Sequence, residues 1–301
     1  MKFRSIFILF DGITFVFLIL VFILPVFIPG SGLVGTSWHG LWPLALFLFL
    51  VLAGMNLFFA LNYRLYHLLE REDWPALVLY LEDRVLQKGR YSSHLVQILA
   101  NAYLVLSDSA SVMKLENQAA AAKPALLEKY ALIFGAARIL GKDFSGAVRF
   151  FELRLEAALE ASSAGKGGGG KSKAVRPFGG KGMTGGIAFA DNTEWLSWYL
   201  GFALLLDHQF DPAARRFAEI ARHSPDMILV GMAAWFLDST LLRTLPRGEL
   251  AEAVREGRDR VYAALPDAEA WNKETAKIQT AVYAVILSKY IKETAGWLYP
   301  N

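Results

Sequence analysis

Hydrophobic and polar positions divide the chain at Arg64. Between Gly12 and Tyr63 run 52 residues without a single Asp, Glu, Lys or Arg. Ile6–Ile28 and Leu41–Leu61 are each long enough to cross about 30 Å of hydrocarbon as helices rising about 1.5 Å per residue. The segment between them, Pro29 to Gly40, holds four glycines and one ionisable residue, His39. It reads as a short hairpin connection, with Trp38 and Trp42 placed for an interfacial belt. These features predict a two-span transmembrane helical hairpin over residues 1–63. The apolar core of the first span is too long for a cleaved leader, and no small-x-small site follows it.

After Arg64, apolar residues recur every three or four positions with no sustained alternation of period two, so this part is predicted all-α. Helix starts are marked by Asp73 before Trp74-Pro75, Lys123 before Pro124, Asp211 before Pro212 and Ser224 before Pro225. Asp191 with Glu194 has the form of a capping box opening the helix that carries Trp195, Trp198 and Leu204. Gly248–Ala264 and a long last helix over Asp267–Thr294 read as an end cap, with Trp297, Leu298 and Tyr299 docking on it.

The helices share a register. Ala76 with Tyr80, Ala147 with Phe151 and Ala213 with Phe217 each place a small residue one turn before an aromatic. Gly135 and Gly201 lie twelve residues before the last two small positions. Ala100 takes the corresponding place in an intermediate unit whose second helix carries Val112 and Glu116. The step between units is 35 or 36 residues, but 66 between Ala147 and Ala213, where a glycine-rich insert intervenes.

This pattern resembles the tetratricopeptide repeat family, in which paired antiparallel helices form a unit of about 34 residues with small and large residues alternating where they pack. The resemblance covers Tyr63 to Leu242. It implies an α-solenoid with TPR-like repeats over 64–162, a basic glycine-rich insert over 163–190, a further repeat with capping helices over 191–296, and a tail at 297–301. The leading helix of the first unit continues the second span, and Arg64 stands where a small residue is expected. Ligands of the family bind a groove lined by the first helix of each unit. Those positions fall here on His94, Gln97, Asn101, Lys129, Trp195, Trp198 and Phe202. The resemblance thus implies a protein partner bound as an extended or helical peptide, with the aromatic residues as anchors. The alternative for Trp195, Trp198 and Phe202 is packing against the insert or a neighbouring unit.

Composition narrows the chemistry. With 54% hydrophobic and 20% charged residues the chain is not disordered. The absence of cysteine excludes disulfides, thiolate metal sites and a Cys nucleophile. The net charge of +3 is local, since Lys166, Lys171, Lys173, Arg176 and Lys181 all lie in the insert, which holds no acid. The helical body is mildly acidic and unsuited to nucleic acid. Lys2 and Arg4 precede the hairpin and Arg64 and Arg71 follow it, which predicts a bacterial inner-membrane protein with both termini cytoplasmic. The basic loop would then meet anionic lipid or an acidic partner, at about 1 kcal/mol per charge near the surface. Asp11 and Asn56 fall at comparable depth in the hairpin. They either hydrogen-bond across it or to another membrane subunit, or Asp11 simply snorkels to the headgroups.

Two strings are spelled like phosphate loops: Gly165–Ser172 fits GxxxxGK(S/T) and Gly180–Gly185 fits GxGxxG. Ten of the 22 residues from Gly165 to Gly186 are glycine, so composition alone generates such strings. A phosphate loop also needs a preceding strand and a following helix, whereas here a long helix, Phe144–Ala161, precedes and Pro177 follows. The five histidines show no HxxxH or HExxH spacing, and no GxSxG elbow occurs, so no metal, cofactor or catalytic residue is expected. The chain is read as a membrane-anchored scaffold, similar to subunits of envelope assemblies such as exopolysaccharide-synthase scaffolds or spirochaetal flagellar collar proteins. In the collar case the repeats would face the periplasm, against the charge argument. The alternatives are a nucleotide-dependent enzyme or regulator using the Gly165–Ser172 loop, and an ion-conducting assembly working through Asp11 and Asn56.

Overall fold

The structure, a computed structural model, describes residues 12–16, 19, 33–164, 189–245, 248–278 and 286–300, and among them the chain is all-helical with no strand. It divides into two units, Met1–Asp83 and Arg84–Asn301.

In the first unit, α1 (Leu33–Glu70) is one helix of 38 residues. It includes residues 33–40 and runs through Pro43, so the connection predicted from Pro29 to Gly40 is helical from Leu33 onward. Glycine costs a helix only about 1 kcal/mol per residue, which a long apolar helix absorbs. Residues 12–16 of the first predicted span are helical; most of that span, with Asp11, lies outside the described residues.

Among the described residues two stretches are long and apolar enough to cross a membrane by length and composition. Leu46–Glu70 has a mean hydropathy of 1.9 and none of its apolar window is buried. Met227–Thr244 reaches 1.3, but 56% of its window is buried. Its Ile228, Leu229, Val230, Met232 and Ala233 all lie in the core of the second unit. A helix surrounded by protein is apolar all round for that reason alone.

A tight turn joins α1 to α2 (Trp74–Glu82). Glu72 adopts a left-handed φ of 54°, and the Asp73 carboxylate accepts from the Ala76 N–H at 3.2 Å. Arg64, which stands in the small-residue slot, lays its guanidinium over the Tyr80 ring at 5.2 Å from the centroid.

The second unit contains α3 (Ser93–Val105), α4 (Ser109–Ala122), α5 (Ala125–Lys129), α6 (Ala131–Leu140), α7 (Phe144–Ala164), α8 (Phe189–Leu206) and α9 (Phe210–His223). Then come α10 (Met227–Phe236), extended by a π-helical turn Leu237–Leu241, α11 (Gly248–Ala264), α12 (Ala268–Ile278) and α13 (Ser288–Leu298).

The turn that ends α1 recurs after α3, α6 and α8. Ser107, Lys142 and His208 each take a φ of 59°. In every case the N–H of that residue bonds to the carbonyl three residues back, and the next N–H to the carbonyl five back. The pairs are Lys142 to Ile139 and Asp143 to Arg138, for example, at 3.0 and 2.9 Å. This is the Schellman closure, which satisfies carbonyls left over at the helix end. Asp108 and Asp143 then cap the next helix, accepting from the N–H groups of Ser111 and Gly146 at 3.0 Å.

Four expected starts shift. Lys123 ends α4, and Pro124 stands at the N-cap of α5. Asp211 sits inside the first turn of α9, which begins at Phe210. Ser224 ends α9, and the cap of α10 is Asp226, accepting from Ile228 and Leu229 at 2.9 and 3.3 Å. Asp191 lies within α8 rather than at its cap, because the helix already runs from Phe189.

Packing is sequential: α3 on α4, α4 on α6, α6 on α7, α7 on α8, α8 on α9, α9 on α10 and α10 on α11. First helices of successive pairs also meet, α3 with α6, α6 with α8 and α8 with α10. Glycines permit the closest approaches. A Cβ on Gly135 would stand 2.1 Å from the Phe151 ring, and one on Gly201 3.1 Å from the Phe217 ring. Helices α7 and α8, which flank the insert, pack along each other, so the insert does not interrupt the stack.

At the end of the chain Arg260 donates to the carbonyls of Ala221 and Ser224 at 2.8 and 2.6 Å, fixing α11 to the end of α9. The last helix predicted over Asp267–Thr294 is broken, since a turn at Leu287 precedes α13. The tail docks as expected: Trp297 Nε1 donates to Asp238 at 2.8 Å, the Tyr299 hydroxyl donates to the Leu265 carbonyl, and Leu298 is buried.

Candidate functional site: the inner face of the helix pairs

Four of the seven groove positions lie on α3 and α5. Helix α3 is capped by Ser92, whose Oγ accepts from the Leu95 N–H at 3.3 Å. His94 is exposed, Gln97 and Asn101 are half-buried, and their spacing sets them along one helix face. Lys129, exposed at the end of α5, reaches the start of α3, where its Nζ donates to Ser93 Oγ at 2.6 Å. The Ser93 hydroxyl also meets the Tyr130 hydroxyl at 2.6 Å, which donates to the Ser93 carbonyl at 2.7 Å. The structure therefore brings Lys129 beside the residue next to His94. It does so through Ser93 and Tyr130, which sequence reasoning passed over; a hydroxyl at a helix start facing a Lys-Tyr pair was the available signal. Asn101 Oδ1 is buried with no hydrogen-bond partner among the described residues, a position where an incoming N–H donor would be rewarded.

The aromatic half is not open. Trp195, Trp198 and Phe202, expected to line the groove, are 1%, 0% and 3% exposed. Trp198 stacks on Phe202 at 5.4 Å between ring centroids and meets Phe217 and Phe236 at 5.8 and 5.9 Å. The Trp195 indole hydrogen-bonds to the carboxylate of Asp226. Burial pushes the Asp226 carboxyl above its usual pKa, opposed by the N–H groups of Leu229 and Ile228. Large rings gain more from mutual contact and burial than from water, so Trp195 and Trp198 belong to the core between neighbouring pairs, while Phe202 is buried beneath Tyr290 of α13. The groove assignment is corrected at these positions.

A polar cluster lies where the repeat pattern fails. Sixteen residues after Arg64, Gly135 and Gly201 come Tyr80, Phe151 and Phe217, but sixteen after Ala100 comes Glu116. Glu116 is only 7% exposed. Arg138 of α6 donates from Nη2 to its Oε1 at 3.0 Å and stands 2.9 Å from Oε2. Phe150 of α7 carries two guanidiniums, Arg138 at 4.9 Å and Arg154 at 5.3 Å from its ring centroid. Burial pushes the Glu116 carboxyl above its ordinary pKa, against the charges of Arg138 and Arg154. The Nε atoms of both arginines and Oε1 of Gln118 are buried without a hydrogen-bond partner among the described residues. Two cations and one anion leave a positive charge in excess within this cluster. The acid in an aromatic slot was the sequence signal for this cluster.

The basic residues Lys166, Lys171, Lys173, Arg176 and Lys181, and both phosphate-loop spellings, lie outside the described residues. Asn56 is exposed on α1 and donates from Nδ2 to the Leu52 carbonyl at 3.1 Å. Among the described residues no three His, Cys, Asp or Glu side chains are placed to hold a metal ion.

Comparison with known proteins gives a consistent boundary. The family described as "Uncharacterised Treponema protein" matches residues 111–163 and 188–300, more than half of the chain. An uncharacterized protein of Treponema pallidum (strain Nichols) is 24% identical over 312 residues, covering 100% of this chain and 88% of that protein. No solved structure matches. The two matched segments contain Glu116, Arg138, Arg154 and the aromatic core, and leave out most of the glycine-rich insert.

Proposed function

The chain belongs to this Treponema family, and on that premise we propose that it is a membrane-anchored scaffold of tetratricopeptide-like repeats that binds a protein partner without catalysing a reaction. The observation that carries the reading is the repeated turn of helix, left-handed residue and helix at Glu72, Ser107, Lys142 and His208, with an aspartate cap on the following helix at the first three. Stacked pairs of this kind build an extended surface from successive first helices, and such surfaces serve recognition. The apolar, unburied stretch of Leu46–Glu70 supports an anchor in the bilayer. The positive residues Lys2, Arg4, Arg64 and Arg71 support an inner-membrane hairpin with the repeats in the cytoplasm. The partner surface is the polar inner face with His94, Gln97, Asn101 and Lys129, continued by the cationic cluster of Arg138 and Arg154. An envelope assembly of the exopolysaccharide or flagellar-collar type is the setting this arrangement suits.

The test is crosslinking and affinity purification from native membranes, comparing the wild-type chain with the double variant His94→Glu and Lys129→Glu. His94 faces solvent and Lys129 gives up one exposed hydrogen bond to Ser93, so the melting temperature should fall by only a few degrees while partner recovery falls at least tenfold. Equal recovery of the same partners would remove this surface from the proposal.

A further inference from the structure

Helix α13 lies on the very face that a scaffold of this kind offers to a ligand. Its Tyr290 ring stands 5.4 Å from Phe202 of α8, and 5.2 and 6.0 Å from Phe236 and Trp235 of α10. Trp297 donates to Asp238 at 2.8 Å, and Leu298 reaches the surface of Gly231 on α10. Leu287, Ile291, Thr294 and Leu298 are buried with Tyr290 half-buried beside them, giving apolar contacts at spacings of three, four, seven and eleven residues. The opposite face carries Ser288, Lys289, Lys292 and Glu293, with Lys289 and Glu293 paired at 3.8 Å. This is the pattern of an amphipathic helix seated in a groove.

We propose that α13 is a cis-bound occupant of the trough between α8 and α10, and that the external ligand of this trough is an amphipathic helix of the same apolar spacing that displaces it. The proposal rests on the scaffold reading and names the chemistry of its partner. Two further features support it. The stack closes without α13, because α10 is already packed by α8, α9 and α11, with Arg260 binding α11 to the end of α9. The contact is also imperfectly matched: Thr294 is wholly buried, yet its Oγ1 has no hydrogen-bond partner among the described residues. A competing helix with an aliphatic residue at that place leaves no hydroxyl stranded, and so has an affinity advantage over the resident one. Beyond its apolar face α13 is held at its end by α11, where Tyr262 donates to the Leu298 carbonyl and Arg258 lies over the Trp297 ring; a terminal helix held by side-chain contacts of this kind opens below the global unfolding free energy.

The test uses the full chain and a fluorescein-labelled synthetic peptide of residues 286–300. Wild-type chain should bind the peptide weakly, because the trough is filled. The variants Tyr290→Ala and Trp297→Ala, which loosen the resident helix, should bind it at least tenfold more tightly. Variants that retain native helical circular dichroism yet bind no better than wild type would overturn the proposal. Should both variants unfold, hydrogen exchange on the wild-type chain decides. Amides of residues 288–298 should exchange while α8 and α9 remain protected, and exchange of α13 only together with α8 and α9 would overturn it. Partner recovery lost on charging His94 and Lys129, with no gain in peptide binding, would keep the scaffold and discard the displaceable helix. The converse pair of results would do the opposite.

Discussion

Glu116 replaces the ring that three other pairs put in its place, and its surroundings answer for the exchange only in part. Its carboxylate is paired with Arg138, but desolvation is the largest influence on it and holds its pKa above the ordinary carboxylate value. The sign of the consequence follows directly. As pH falls, the folded chain takes up this proton before the unfolded chain does, so stability rises as pH drops through the raised value and is lower at neutral pH. Glu116→Gln should flatten that slope, read as the difference between urea midpoints at pH 5 and pH 7.5. A residual slope should persist, because burial raises Asp226 in the same direction. An unchanged slope would show that Glu116 is not desolvated in the folded chain. This residue was legible as a misfit in the repeat, whereas its partner was not, since nothing local ties Glu116 to Arg138 on a different helix.

Elements were legible wherever a short-range rule determines them. Asp73 caps as expected because its carboxylate reaches an amide three residues on. The starts at Asp211 and Ser224 were misplaced because proline is tolerated anywhere in a first turn, so an X-Pro pair locates a helix start only to within two residues. Glycine and aromatic partners predicted the pairing of α6 with α7 and of α8 with α9, but not how tight each is. A Cβ on Gly135 would lie 2.1 and 2.4 Å from two atoms of the buried Phe151 ring, whereas on Gly201 the nearest atom is 3.1 Å away. Gly135→Ala should therefore destabilise by roughly 1–3 kcal/mol through overpacking. Gly201→Ala should be near neutral, its contact strain offset by a gain in helix propensity of about 1 kcal/mol. Thermal melts of the two variants check this, and equal losses would contradict the difference in packing.

At the scale of the whole molecule, the steps of 35, 36 and 66 residues read from small and aromatic positions agree with the left-handed turns, which recur at 35, 35 and 66. What stayed hidden was long-range. Phe202 was assigned to an open face because no local pattern reveals that Tyr290, far along the chain, lies over it. The apolar character of Met227–Phe236 likewise has its cause in helices on every side, which no window of sequence contains. The long step has a consequence of its own. Since α7 and α8 pack along each other regardless of what joins them, deleting residues 169–180, which halves the connection between Ala164 and Phe189, should alter stability by less than about 1 kcal/mol, because halving a loop changes its closure entropy by only about 0.6 kcal/mol. A two-state melt of the deletion variant that shifts far beyond this would mean the joined helices depend on the segment between them.

Between Leu46 and Glu70 there is no glycine or proline after Gly54, and the helix passes without a joint into the capped corner at Asp73. It therefore behaves as an axle with a crank fixed to its end. Any roll of the axle about its length swings α2 through the same angle, and each residue inserted along it would add a turn of about 100° and a lift of about 1.5 Å. The bearing of the first pair is thus set by counting residues, with no elastic coupling to soften an error.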